Sequence, residues 1–167
     1  MSIRTTVLRL AMLAAALGGA TTALAQTADR GCIELKTVAE IQETYTDARG
    51  NEATRLVPAA KVVPGDEVVW TIVANNVCTT PAGDIAITNP VPQHMRYVGS
   101  SAFGPGAQIV FSLDGSTFAA PEALVVAQAD GTNRPARADE YSAIRWVLPR
   151  PMGPRESLLV RYRATVL

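Results

Sequence analysis

The residues of this chain with chemical reach are few and stand apart. The 167-residue sequence holds one histidine, His94, two cysteines, Cys32 and Cys78, and acids scattered one or two at a time. A hydrolytic triad needs a base beside its nucleophile and an acid that orients the base. His94 lies in Pro92-Gln93-His94, a turn before Met95, and no Gly-x-Ser-x-Gly elbow occurs. No catalytic constellation is expected, and the chain does not read as an enzyme. Two cysteines and one histidine also fall short of a four-ligand zinc site, and no cofactor is implied.

Calcium and glycans are the ligands left to weigh. Asp130-Gly131-Thr132-Asn133, Asp139-Glu140 and Asp114 are oxygen donors of the kind calcium takes at loop ends. The EF-hand spacing is missing, however, and turns use the same residue types. Trp70, Trp146, Tyr97, Tyr141, Phe103, Phe111 and Phe118 could line a sugar-stacking platform, yet most alternate with polar neighbours as buried residues do. Tyr141 is the aromatic expected to be exposed, because it ends the polar loop Arg134-Pro135-Ala136-Arg137-Ala138-Asp139-Glu140. Arg134, Arg137, Asp139, Glu140 and Tyr141 therefore form the candidate contact loop. Lys36 on an early strand invites an internal Lys-Asn amide, but Leu158 to Leu167 contains no Asn or Asp to accept it.

The elements available to position these residues are strands. Val68, Trp70, Ile72 and Ala74 share one side of a period-2 pattern and Glu67, Thr71 and Asn75 the other, with Val69 and Val73 making that second side partly apolar. Ile85 and Ile87, then Ile144, Trp146 and Leu148, then Leu158, Val160, Tyr162, Ala164 and Val166, repeat the alternation. Arg161 and Arg163 fall on the wet face of that last strand. Ile33, Leu35, Thr37, Ala39 and Ile41 share a face near the start, and Asp47-Ala48-Arg49-Gly50-Asn51 turns the chain back through Glu52 to Val57. Asp114-Gly115, between Gln108–Ser112 and Thr117-Phe118, predicts a tight type I′ hairpin. Pro64-Gly65 predicts a turn that launches a strand at Asp66. Asn89-Pro90 and Pro92 should end their segment or place it at a sheet edge.

The first residues carry an address. Arg4 and Arg9 give a basic region, Leu10 to Leu17 an apolar one, and Ala23-Leu24-Ala25 a small-x-small cleavage signature. Residues 1–25 thus read as a Sec signal peptide, with 26–31 a short arm and 32–167 one domain. The mature protein is expected in the periplasm, at the cell surface or outside the cell, with no membrane span. Cleavage leaves 142 residues with 13 basic and 15 acidic side chains. A chain of that size buries about 68% of its unfolded surface, which suits one core. Without a basic stripe, nucleic acid is not an expected partner. An oxidising compartment permits a Cys32–Cys78 bridge. Three intervening strand passes would leave these cysteines at opposite ends and two would reunite them, so paired, free and intermolecular thiols all stay open.

Leu35-Lys36-Thr37-Val38, Val63-Pro64-Gly65-Asp66-Glu67-Val68-Val69-Trp70-Thr71-Ile72-Val73-Ala74-Asn75-Asn76, Asp84 to Pro92 and Met95-Arg96-Tyr97-Val98 together resemble the DUF11 family of conserved-repeat domains. The resemblance spans most of Leu35 to Ser101. It implies an exported or surface domain with structural or adhesive roles and no established chemistry. The chain departs from the family pattern in being a single copy, in a hairpin inserted between Val38 and Val63, and in Trp70 where tyrosine is usual. The expected fold is an all-β, immunoglobulin-like antiparallel sandwich of about seven to nine strands. The expected function is a noncatalytic envelope or surface protein that docks a protein partner, or copies of itself, through sheet edges or end loops. Gln26 to Arg30 could donate to a neighbour; a calcium or glycan module is the alternative.

Overall fold

Period-2 apolar patterns and turn residues divide the chain into ten strands among the described residues. The computed structural model describes residues 31–167; the signal peptide expected at 1–25 and the arm through Arg30 lie outside them. The strands are β1 (Ile33–Thr46), β2 (Glu52–Pro58), β3 (Glu67–Asn76), β4 (Ala86–Pro90), β5 (Met95–Tyr97), β6 (Gln108–Ser112), β7 (Val125–Ala127), β8 (Asn133–Pro135), β9 (Ala143–Val147) and β10 (Ser157–Val166). A larger sheet runs β2-β1-β3-β10-β5, a smaller one β4-β9-β6, and β7-β8 form a ribbon. All pairs are antiparallel. The fold is all-β, and its antiparallel sheets are consistent with a β-sandwich. No described helix is long and apolar enough to cross a membrane.

Turn chemistry explains most of the boundaries. The Asp47 carboxylate accepts the backbone N–H groups of Arg49 and Asn51, closing β1 onto β2. Gly65 takes φ +98°, and Asp66 N–H reaches the Val63 carbonyl, as a Pro-Gly turn requires. β4 ends at Pro90 and lies at a sheet edge, where a missing N–H is tolerated. Asp114-Gly115 departs from expectation. Phe111 pairs with Ala119, so the connection runs from Ser112 to Phe118, and of the two central residues only Gly115 has positive φ. A type I′ turn needs both. The Asp114 carboxylate instead gathers the N–H groups of Ser116 and Thr117 and the Ser112 hydroxyl, favouring a wider loop.

The core joins the two sheets through aromatic rings. Tyr162 on β10 is fully buried, with ring centroids 6.2 Å from Trp146 and 6.4 Å from both Trp70 and Tyr97. Tyr97 continues to Phe111 at 5.3 Å, and Phe111 to Tyr141 at 4.6 Å. The Tyr162 hydroxyl accepts a hydrogen bond from Asn89 Nδ2 at 2.7 Å, tying β10 to β4. Trp146 is as deeply buried and packs against the backbone of Gly104, where an added Cβ would stand 2.5 Å from its ring.

Gly104→Ala should therefore cost about 1 to 3 kcal/mol, because a fully buried indole must shift to admit one methyl group. Gly83→Ala, at a position with open space and ordinary φ, should be near neutral. Denaturant midpoints of the two variants check the contrast.

Candidate interaction surfaces

The polar loop from Arg134 to Tyr141 is drawn inward. Arg134 Nη1 donates to Glu140 Oε2 at 2.8 Å, with Nη2 on Oε1, and Glu140 also accepts the Arg137 N–H at 2.7 Å. Arg137 Nε donates to Asp139 Oδ1 at 3.0 Å. Both arginines and both acids are thus engaged within the loop, which folds into a short 3₁₀ helix at Ala138–Glu140. Tyr141 is a correction: expected to be exposed, it is 7% exposed and stacked on Phe111. The apolar ring outweighs its polar sequence neighbours, and those neighbours hold it against the core.

Sequence reading missed that this device occurs twice. Arg134-Pro135 and Glu140 are spaced as Arg150-Pro151 and Glu156 are. In both, the arginine grips the glutamate with two nitrogens and also donates to the proline carbonyl, while the glutamate accepts an N–H three residues before it. Arg134 and the Arg137 N–H hold the Glu140 carboxyl down to about 2. Arg150 and the Gly153 N–H do the same for Glu156, also to about 2. The signal was the repeated Arg-Pro-x-x-x-x-Glu spacing, which describes a local staple.

The cysteines meet. β2 runs outside β1, so β1 and β3 are direct antiparallel neighbours with Ile33 opposite Asn76. Cys32 and Cys78 form a disulfide, their Cα atoms 5.2 Å apart. Asn76, 1% exposed, sits beside it: Nδ2 lies within reach of the Thr80, Met152 and Gly153 carbonyls, and Oδ1 accepts the Cys78 N–H. Asn76 is thus a buried clamp joining two loops at this end.

Other singled-out residues stay dispersed. His94 is an exposed turn residue at φ +63° whose carbonyl accepts the Leu167 N–H. Asp114, Asp130 and Asp139 serve separate turns, and no three His, Cys, Asp or Glu among the described residues gather as a metal site. Of the aromatics, Trp146, Tyr97, Tyr141 and Phe111 are interior, Trp70 is partly buried, Phe118 lies under the Arg145 guanidinium at 3.6 Å, and Phe103 is 56% exposed.

Two surfaces are open. An apolar cleft of about 360 Å³ lies between β5 and β6, floored by Tyr97, Phe111 and Tyr141 and walled by Ile109, Ala102 and Ala138. The second is β1 itself. Leu35 faces the same side of the sheet as core residue Ala74, yet it is 54% exposed, so the smaller sheet does not reach it. β2 pairs only with Glu40–Thr46 and β3 only with Ile33–Ile41. Because Cys32 O turns towards β3 and Ala39 O towards β2, alternation aims the backbone groups of Leu35 and Thr37 at the free edge.

Both glutamates titrate below their ordinary value, so the stability they confer is whole above about pH 4.5 and drains away as pH falls towards about 2. Glu140→Gln with Glu156→Gln should flatten that acid limb in denaturant midpoints measured across the range. Asp47, Asp114 and Asp130, also held low by hydrogen bonds, supply the remainder. Cys32→Ser with Cys78→Ser should lower stability by up to about 4 kcal/mol, the loop-closure entropy of a bridge whose ends are 46 residues apart; a reduced and an oxidised melt compare it directly.

No protein-family model, curated protein or solved structure matches this chain.

Proposed function

We propose that this chain is a noncatalytic interaction protein of an exported compartment, a DUF11-like sandwich that docks a protein partner along the free edge of β1. The observation that carries the reading is Leu35. It is a large apolar residue on the core side of its strand, half exposed, with neighbouring main-chain donors and acceptors that no strand among the described residues covers. An incoming extended segment would complete the ladder at Leu35 and Thr37 and bring its own side chains against Leu35, the two ingredients of strand addition. Past Ile41 the β1-β2 ribbon continues without β3, and isolated two-stranded ribbons are marginal in water.

Export is supported by the basic, apolar and small-x-small order of the first residues and by the disulfide, which suits an oxidising compartment. The likeness to immunoglobulin domains is one of architecture. In constant-type antibody domains the last strand lies in the three-stranded sheet, whereas β10 lies between β3 and β5 in the five-stranded one. A noncatalytic role is supported by the isolation of His94 and by carboxylates committed to turns and staples.

A photo-crosslinking side chain at Thr37 should trap a discrete envelope protein when the chain is exported in its host, and Leu35→Asp should abolish the adduct. The same side chain at Val110, on the outer face of the smaller sheet, should trap nothing. Identical patterns at both positions, or none at Thr37, would overturn the reading. The intact mass of the exported form should lack the first 25 residues.

A further inference from the structure

β3 is apolar on both sides, but among the described residues only its core side faces a second sheet; on the outer side Val69 and Thr71 are buried by their neighbours within the same sheet. Register puts Val68, Trp70, Ile72 and Ala74 on the core face and Val69 and Val73 on the outer face. In an antiparallel sheet with one solvated face the outward residues are ordinarily polar. Around Val69 and Val73 the outer face carries Val38 on β1, Leu56 on β2 and Leu159 on β10, the last two 36% and 37% exposed. A shallow groove of about 390 Å³ runs between Leu56, Val69, Arg161 and Arg163.

The charges on this face are segregated. Arg161 and Arg163 on β10 and Arg96 on β5 make one half basic. Glu34 and Glu40 on β1 and Glu52 on β2, against Lys36 alone, make the other half acidic. β3 runs between the halves, with Glu67 at its start on Arg163 at 2.8 Å. A face with opposite charges on either side of its central strand is complementary to itself. A two-fold axis along β3 would lay β1 of one copy over β10 of the other, with Glu40 and Arg163 at the same level because both stand opposite Val69.

We propose that the outer face of the larger sheet is the interface of a homodimer, two copies stacked sheet on sheet with the valines of β3 at the centre. Sheets stack about 10 Å apart with strands within about 30° of alignment. The five strands, about nine residues long on average, span roughly 700 Å² in projection, close to the ~800 Å² per partner of a stable interface. The proposal concerns the sheet face and stands apart from the edge-docking reading, which uses β1 backbone.

Sedimentation of the exported protein tests it. Twice the chain mass is expected, weakening with added salt. Glu40→Arg and Arg163→Glu should each raise the dimer dissociation constant by more than about tenfold, since each juxtaposes like charges twice across the axis. The double reversal should dimerise again, and an equimolar mixture of the two single variants should form a heterodimer. Leu159→Lys should give a folded monomer, while Leu35→Asp should leave the dimer intact. A wild-type monomer at all concentrations would overturn the proposal, as would a dimer indifferent to Glu40→Arg and Leu159→Lys or the absence of rescue in the double reversal. A dimer lost only in Leu35→Asp would place self-association at the edge.

Discussion

The contact between Tyr162 and Trp146 is off centre, and that asymmetry governs the rest of the molecule. The middle strand of the larger sheet is β3, yet the buried rings that join the layers stand on β10 and β9. Tyr97 and Phe111 extend the contact outward to the edge strands β5 and β6. A three-stranded layer anchored there covers one flank of a five-stranded one. β1 and β2 are left only partly covered on their core side, where Ile33, Ala39 and Ile41 are half-buried and Leu35 is exposed while Ala74, directly opposite on β3, is not.

An overhanging strand at the start of a domain is prone to fray, and the surrounding chemistry opposes this. The disulfide fixes Cys32 to the segment after β3, at the end where β1 has no outer neighbour. Asn76, buried beside it, draws in the backbone of Thr80, Met152 and Gly153. The Arg150–Glu156 staple then shapes the loop that feeds β10 back along β3. Its counterpart, Arg134–Glu140, lies at the β5 and β6 rim and holds Ala138 in the wall and Tyr141 in the floor of the cleft. Most exposed ion pairs contribute little to stability. These two differ in having two-nitrogen geometry and a backbone N–H on the same carboxylate, so they fix loop shape.

Alternation made the strands legible. Trp146 with Ile144, and Tyr162 with Val160 and Ala164, read as buried from period alone and are buried. The turns at Asp47 to Asn51 and Pro64-Gly65 were equally plain, because Gly and Asp signal backbone conformation directly. What local sequence could not carry was competition between a residue and its neighbours. Tyr141 follows the seven-residue polar loop Arg134 to Glu140, yet its ring wins a place in the core once Arg134 and Glu140 satisfy each other. Asp114-Gly115 reads as a tight hairpin, yet Asp114 binds more N–H groups in a wider loop. The disulfide geometry depended on β2 lying outside β1, a matter of topology that no short window contains.

Val69 and Val73 were legible as an irregularity before their setting was known. A solvent-facing strand side gains nothing from branched apolar residues except β-propensity, which threonine supplies without exposing another methyl group. Arg161 reaches Thr71 between them, Arg163 stands opposite Val69 and reaches Glu67, and Val69 is 7% exposed. Long arginine stems can shield such a row within a single copy. Shielding alone does not account for Leu159, Leu56 and Phe103, which lie on the same face more than a third exposed. Nor does it account for acids gathered on one side of β3 and arginines on the other, an arrangement wasteful in an isolated face and complementary in a stacked pair. Stacking about β3 would leave Leu35 and Thr37 on outer edges, so the face and the edge could be occupied together.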